Sequence, residues 1–146
     1  MTGLSGRIEG GEHVLPIRVY YEDTDAAGIV YYASYLRFAE RGRTEMLRLA
    51  GVRQSEVCRQ HGVAFAVRDC KADYRQPARL DDLIEVRSRL TGLRGASADA
   101  RQVISRDGTA LVRLDVRIAC IRQNGRPARF PAGLRAALER YCQTQE

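Results

Sequence analysis

The chain lacks any uninterrupted run of about 18 apolar residues, the length that a membrane-spanning helix requires, so the sequence predicts no membrane span. Its first residues, MTGLSGRIEGGEHV, contain no apolar segment of the kind found in a secretory signal, and we therefore expect a cytoplasmic protein. Internal repeats and low-complexity tracts are absent as well. We expect a flexible, glycine-rich tail over residues 1–12 and a single domain over residues 13–146.

Cysteine and histidine are few and scattered. The four cysteines form no C-x-x-C pair and show no metal-ligand spacing, and only two histidines could assist them. We therefore expect no metal site, and reduced cysteines instead of a disulfide framework. His13 and His61 have no serine or carboxylate partner at a recognisable spacing, which disfavours Ser-His-Asp catalysis.

Lysine is almost absent, because Lys71 is the only one, and the net charge of +6 comes almost wholly from arginine. A net positive charge is compatible with binding to a nucleic acid, a membrane surface or a phosphorylated small molecule. The arginines are spread along the chain and no nucleic-acid-binding motif is present, so we expect no nucleic-acid partner. The apolar fraction of 45% and the charged fraction of 29% are typical of a soluble globular protein.

The apolar pattern predicts an α+β domain in which one long helix lies against one antiparallel sheet. Ser34 is the predicted N-cap of the long helix and Gly51 its C-terminal stop. Glycine in mid-helix costs about 1 kcal/mol relative to alanine, so Gly42 predicts a close neighbour on the sheet. The predicted helices are residues 35–49, 54–61 and 133–142, and the predicted strands are residues 14–21, 63–74, 83–90, 98–105 and 110–122. The pairs at 107–108 and 124–125 predict tight turns.

An acidic loop, residues 22–28, lies just before the start of the long helix. Backbone N–H groups at a helix start bind negative charge, and the helix dipole adds to the attraction. A carbonyl held between the two would meet an acid/base group on one side and an oxyanion site on the other. An Asp-rich loop before a helix is also an ordinary turn and cap, so the pattern alone leaves both interpretations open.

The stretch RVYYEDTDAAGIVYYASYLRFAERGRTEMLR resembles the signature region of the hotdog-fold acyl-CoA thioesterases. The match to D-T-D-x-x-G-I-V-Y-Y is specific, and further similarity follows in RQPARLDDLIEV and LRGAS, so the resemblance covers roughly residues 14–131. It is closest to the Tol–Pal-associated branch of the 4-hydroxybenzoyl-CoA thioesterase family. The resemblance implies the hotdog fold, in which a curved antiparallel sheet wraps one long central helix.

The resemblance also implies roles for single residues. Asp25 matches the family's catalytic carboxylate, which acts as a general base on water or as a nucleophile. The implied oxyanion hole is formed by backbone N–H groups of residues 30–34, and Tyr32 matches the donor position. Some members of the Tol–Pal-associated branch have histidine there, so an imidazole mechanism is not supported here. Tyr21 matches a tyrosine near the site, although a strand tyrosine is equally compatible with core packing.

The implied substrate-binding residues lie in two stretches of the chain: Gly28, Val30, Arg94, Gly95 and Ser97. Arg94 matches a basic turn that relatives use to hold coenzyme A phosphates, while an arginine in a turn is equally often just solvated. Asp23 and Glu22 are predicted loop supports. Glu40 is the rival carboxylate, because another class of hotdog thioesterases places its acid in the middle of the long helix.

We therefore expect an acyl-CoA thioesterase that needs no metal or organic cofactor, with the coenzyme A thioester as substrate. The resemblance implies a homo-oligomer, either a dimer or a dimer of dimers (a homotetramer), with active sites at subunit interfaces, and it leaves acyl carrier protein open as a partner. The alternatives are an aryl-CoA thioesterase, or a hotdog protein that binds acyl-CoA or acyl carrier protein without catalysis. A hydratase is disfavoured, because the chain has no Asp/His pair at the spacing that class uses.

Overall fold

The computed structural model describes residues 3–142, which form a six-stranded antiparallel sheet, one long helix and two short helices. The predicted α+β layout, with a curved sheet around one long helix, is confirmed. The strands are β1 (Arg7–Glu9), β2 (Glu12–Arg18), β3 (Val63–Tyr74), β4 (Leu83–Leu93), β5 (Ser97–Arg106) and β6 (Thr109–Arg122), and the helices are α1 (Ser34–Leu49), α2 (Gln54–His61) and α3 (Ala132–Glu139).

The strand order across the sheet is β1-β2-β4-β5-β6-β3, so β1 and β3 are its edges. Helix α1 packs against β2, β4 and β5. The inward face of β4 is the one that its alternation predicts, because Ile84, Val86, Ser88 and Leu90 are all buried. The apolar residues of this face and of α1 form the core, since burying them removes apolar surface from water.

Gly42 lies where α1 approaches β4 and β5. A Cβ atom at this position would lie 2.8 Å from Cγ1 of Val86, closer than side chains pack. Beside it, the fully buried Gln102 donates hydrogen bonds from Nε2 to the carbonyl of Ala39 at 2.8 Å and to Oγ of Ser88 at 2.9 Å. The predicted close neighbour of Gly42 is confirmed, and a polar bridge holds α1 on the sheet at the same point.

The two ends of α1 differ in how well the sequence predicts them. Gly51 has a φ of 86°, and its N–H donates to the carbonyl of Arg48 at 2.9 Å, as a C-terminal stop requires. Ser34 is not the N-cap, because it is the first helical residue and Ala33 occupies the cap position. The hydroxyl of Ser34 instead accepts a hydrogen bond from Nη2 of Arg37 at 2.8 Å.

The structure also corrects the prediction before α1. Strand β2 ends at Arg18, and the predicted strand end at Tyr21 instead begins one turn of 3₁₀-helix over Tyr21–Asp23. Residues 7–9 lie within the predicted flexible tail, but they form strand β1. Ion pairs between β1 and β4 stabilise this strand, and in one of them Nη2 of Arg7 lies 2.9 Å from Oε2 of Glu85. Residues 1–2 of that tail and residues 143–146 of the predicted domain lie outside the described part of the chain.

Candidate active site

Asp25 lies in a loop that its own backbone closes. The N–H of Asp25 donates to the carbonyl of Ile29 at 2.9 Å, and the N–H of Gly28 donates to the carbonyl of Asp25 at 3.0 Å. Gly28 has a φ of 79°, a conformation that favours glycine. Oδ1 of Asp25 accepts a hydrogen bond from the N–H of Ala27 at 2.8 Å, while the side chain as a whole is exposed. The loop therefore orients one carboxylate oxygen and leaves Oδ2 without a hydrogen bond to any described residue.

Asp23 ties this loop to the chain on both sides. It is almost fully buried, and its Oδ2 accepts a hydrogen bond from the N–H of Tyr20 at 2.8 Å. Its carbonyl accepts one from the N–H of Tyr31 at 2.9 Å, and Nη2 of Arg37 lies 4.0 Å from its Oδ1. Asp23 thus has the contacts that the predicted loop support requires, whereas Glu22 is exposed.

The backbone N–H groups between the loop and α1 are not all occupied. Those of Val30, Tyr31 and Ser34 donate to carbonyls at 2.8–2.9 Å. Those of Tyr32 and Ala33 have no acceptor within residues 3–142. Unpaired donors at a helix start attract negative charge, because the dipole of the helix points its positive end there. Two adjacent donors, one of them the predicted Tyr32, are therefore available at the start of α1.

An open pocket of about 280 Å³ borders this helix start, and it is largely apolar. Tyr74, the last residue of β3, forms part of its wall, and its ring centre lies 6.3 Å from that of Tyr32 and 5.8 Å from that of Tyr35. The hydroxyl of Tyr74 donates to the carbonyl of Tyr32 at 3.3 Å. The other wall residues include Ile29, Val30 and Pro77.

Tyr35 forms the buried side of the pocket wall. It is buried, and its hydroxyl oxygen accepts a hydrogen bond from the N–H of Ala78 at 2.9 Å. Burial raises the pKa of Tyr35, so the ring stays neutral. The sequence predicts no role near the site for Tyr74 or for the side chain of Tyr35, whereas the N–H of Ala33 lies within the predicted donor range of residues 30–34. The only signal available for Tyr74 is its place at the end of a predicted strand, which does not show that this end meets the start of α1.

The Arg94 turn, residues 94–96 between β4 and β5, carries a cluster of ion pairs. Nη2 of Arg94 donates to Oδ1 of Asp99 and Nε to Oγ of Ser97, both at 2.7 Å. Arg117 also donates to Asp99, from Nε to Oδ1 at 2.8 Å. Hydrogen bonds from Arg117 and Arg94 lower the pKa of Asp99 to about 2. Arg94 therefore shares a carboxylate with Arg117, and Gly95 lies in the same turn against the guanidinium of Arg129.

Asp25 and Arg94 do not meet within one chain. The end of β4 at Leu83 lies on the side of the acidic loop, where the N–H of Val19 donates to the carbonyl of Asp82 at 2.9 Å. Arg94 follows the other end of β4. The 11 residues of β4 span about 35 Å at about 3.3 Å per residue. The predicted substrate-binding residues thus form two groups, one at each end of the strand.

Tyr21 and Glu40 have exposed side chains. Tyr21 is 82% exposed, so the alternative that it packs in the core is wrong. Glu40 lies on the solvent side of α1, and its side chain makes no hydrogen bond within the described residues. In residues 3–142 no group of three or more His, Cys, Asp or Glu side chains is placed to hold a metal ion. No helix among these residues is long and apolar enough to cross a membrane.

Residues 19–138 match the family model described as the thioesterase-like superfamily. The acyl-CoA thioester hydrolase YbgC of Escherichia coli O6:H1 is 44% identical over 107 residues, which cover 73% of this chain and 79% of the relative. The acyl-CoA thioesterase YbgC of Haemophilus influenzae is 40% identical over 123 residues, 84% of this chain and 90% of the relative.

Solved structures with the same fold include a probable thioesterase from Bartonella henselae, with a TM-score of 0.78 and 37% identity over 82% of this chain and 99% of that one. A hypothetical protein from Thermus thermophilus matches with a TM-score of 0.83 and 32% identity, over 91% of this chain and 99% of that one. The match to the family model includes the acidic loop and the whole of α1.

Proposed function

Because the chain belongs to the thioesterase-like superfamily and has its hotdog fold, we propose that it hydrolyses acyl-CoA thioesters to a free carboxylic acid and coenzyme A. The observation that carries the mechanism is the pairing of an exposed, loop-held carboxylate, Asp25, with two unpaired N–H groups at the start of the following helix. The carboxylate can activate a water molecule or attack the thioester carbonyl itself. The N–H groups can stabilise the negative charge that develops on the carbonyl oxygen.

Asp25 acts in one of two ways. As a general base it takes a proton from water, and the oxygen of that water attacks the thioester carbonyl. The tetrahedral intermediate then expels coenzyme A as a thiolate, which takes the proton back. As a nucleophile Asp25 attacks the carbonyl itself, the thiolate leaves, and water hydrolyses the mixed anhydride. In both cases the carbonyl oxygen becomes negative and needs donors, and the N–H of Tyr32 supplies one.

The separation of Asp25 from Arg94 supports an oligomeric site. Within one chain the two lie towards opposite ends of β4, whose 11 residues span about 35 Å, so a substrate at Asp25 would reach the Arg94 turn of another copy. Strand β3 is a long edge of the sheet, and pairing such edges between subunits protects them. The enzyme thus acts as a homo-oligomer, a dimer or a dimer of dimers. The cytoplasmic location, the Tol–Pal association and an acyl carrier protein partner stay predictions of the sequence.

An aryl-CoA thioesterase is the second candidate. The specific observation in its favour is the wall of tyrosine rings beside the helix start, contributed by Tyr32, Tyr35 and Tyr74. Aromatic acyl groups would pack edge-to-face or offset against these rings. The pocket of about 280 Å³ also admits a branched or straight aliphatic acyl group.

The test is steady-state hydrolysis of a panel of acyl-CoA esters, from short-chain to long-chain, together with benzoyl-CoA and 4-hydroxybenzoyl-CoA. Release of free thiol by the wild-type protein supports the function, and the preferred acyl group separates the two candidates. Absence of turnover with every ester would overturn it. A single turnover in ¹⁸O-water then tests whether Asp25 is the nucleophile. Label on Asp25 shows that water opened a mixed anhydride at the Asp25 carbonyl, whereas a general base places the label only in the released acid.

A further inference from the structure

The two unpaired N–H groups belong to consecutive peptide groups. The N–H of Tyr32 is part of the peptide that carries the carbonyl of Tyr31, and the N–H of Ala33 is part of the peptide that carries the carbonyl of Tyr32. A peptide group is planar and its N–H and C=O point in opposite directions. Whatever holds each carbonyl therefore sets the direction of the N–H at the other end of the same group.

The two carbonyls are held by different parts of the protein. The carbonyl of Tyr31 accepts the N–H of Ser34 at 2.8 Å, a contact within the first turn of α1. The carbonyl of Tyr32 accepts the hydroxyl of Tyr74 at 3.3 Å, a contact from the end of β3. The first contact forms with the helix itself, while the second depends on a side chain 42 residues away in the sequence.

We infer that the oxyanion hole has two backbone donors, the N–H groups of Tyr32 and Ala33, and that Tyr74 is the positioning residue of the second. This inference rests on the proposed thioesterase function. The Tyr74 hydroxyl holds the Tyr32 carbonyl and so aims the N–H of Ala33 at the developing negative oxygen. Donors fixed before the reaction stabilise that charge most, because no reorganisation is needed in the transition state.

The surroundings of Tyr74 suit this role. Its ring packs at near right angles to that of Tyr32 and against Tyr35, which the N–H of Ala78 anchors in the core. Desolvation raises the pKa of Tyr74, so its hydroxyl keeps the proton that it donates at neutral pH. The 3.3 Å separation of the two oxygens is long for a hydroxyl donor, as hydrogen bonds of catalytic sites often are before substrate binds.

The test compares two tyrosine hydroxyls that each donate to a backbone carbonyl. Tyr74→Phe removes the hydroxyl and keeps the ring contacts, so we expect kcat to fall about ten-fold with KM within about two-fold of wild type. Tyr141→Phe is the matched control, because its buried hydroxyl donates to the carbonyl of Met46 at 2.7 Å, far along α1. We expect that variant to lose thermal stability and to keep kcat.

A spectroscopic readout separates positioning from a merely structural effect. In the Asp25→Asn background, the carbonyl stretch of bound, ¹³C-labelled acyl-CoA reports how strongly the donors polarise the thioester. We expect the stretch to move towards its value in solution when Tyr74→Phe is added, and to stay unchanged when Tyr141→Phe is added. An unchanged stretch with Tyr74→Phe, or a Tyr74→Phe enzyme with wild-type kcat, would overturn the inference while leaving the proposed function intact. If the wild type hydrolyses no acyl-CoA, the function fails and the inference falls with it.

Discussion

At the scale of the residue, Gly42 sets how closely α1 can lie on the sheet. A Cβ there would lie 2.8 Å from Val86 and 3.2 Å from Nε2 of Gln102. We therefore expect Gly42→Ala to lower the free energy of unfolding by about 1–3 kcal/mol, despite a gain in helix propensity of about 1 kcal/mol. Urea denaturation measures this change in the free energy of unfolding. The control is Gly133→Ala in α3, where nothing lies within 4 Å of the new Cβ, so stability stays level or rises. Unchanged stability in Gly42→Ala would contradict the close packing.

His13 is a buried residue that makes the stability of the protein depend on pH. It is fully buried on β2, Nε2 lies 2.6 Å from the carbonyl of Ser5, and Nδ1 has no partner within residues 3–142. Desolvation lowers its pKa, although the Ser5 carbonyl and the charge of Glu45 oppose that shift. The unfolded chain therefore binds the proton more readily than the folded protein does. The stability that the protein gains from keeping His13 neutral is fully present above the unfolded pKa of about 6.5. It is lost as the pH falls below that value, because the unfolded chain then binds a proton that the folded protein does not.

The predicted result is a free energy of unfolding that decreases between about pH 7 and pH 5 in the wild type and is flatter in His13→Gln. Urea titrations at several pH values measure the difference. His61→Gln, at the exposed end of α2, serves as the control and should follow the wild-type profile. A His13→Gln profile parallel to that of the wild type would show that His13 does not cause the pH dependence.

At the scale of the element, the acidic loop depends on Asp23. Asp23→Ala removes the acceptor for the N–H of Tyr20 and leaves that donor unpaired beside a buried site. We expect a loss of about 1–2 kcal/mol in stability and a fall in kcat of about ten-fold, because Asp25 is then held less firmly. Thermal unfolding and acyl-CoA hydrolysis measure the two effects. Glu22→Gln, an exposed neighbour in the same turn, should change neither. Equal effects from both substitutions would argue against the loop contacts.

Most elements could be predicted because their patterns are regular and their ends carry glycine. Helix α2 matches its predicted bounds at both ends, and Gly62, with a φ of 63°, closes it. The chain between β2 and α1 could not be predicted as well. Tyr20 and Tyr21 have the composition of a strand, yet both are exposed: Tyr20 caps a 3₁₀ turn that Tyr21 begins and that Asp23 stabilises. Ser34 has the chemistry of an N-cap, yet its hydroxyl binds Arg37 instead.

At the scale of the whole molecule, the candidate site joins segments that the sequence keeps far apart. The loop of Asp25 and the donor at Tyr32 could be predicted because they are continuous with one motif. The contact from Tyr74 could not, since it depends on how β3 pairs with β6 and where that end of the sheet meets α1. The opposite positions of Asp25 and Arg94 likewise follow only from the length and direction of β4.

An oligomer with composite sites predicts complementation between two damaged chains. We expect a mixed dimer of one Asp25→Asn chain and one Arg94→Gln chain, isolated through two different affinity tags, to contain one intact site of two. Its kcat/KM at low substrate should reach about half of the wild-type value, above that of either variant alone. Light scattering fixes the subunit number. A mixed assembly no more active than the mean of its parents would show that Asp25 and Arg94 do not serve one site.

The measurement that tests the account most directly is turnover of the best acyl-CoA ester by wild type, Asp25→Asn and Glu40→Gln, each checked for fold by circular dichroism. Asparagine keeps the oxygen that accepts the N–H of Ala27 but loses the charge, so the fold and melting temperature should persist. We predict that kcat falls by about 10²–10⁴ in Asp25→Asn and stays near wild type in Glu40→Gln. Wild-type turnover in a folded Asp25→Asn protein, or loss of turnover only in Glu40→Gln, would contradict the assignment of Asp25.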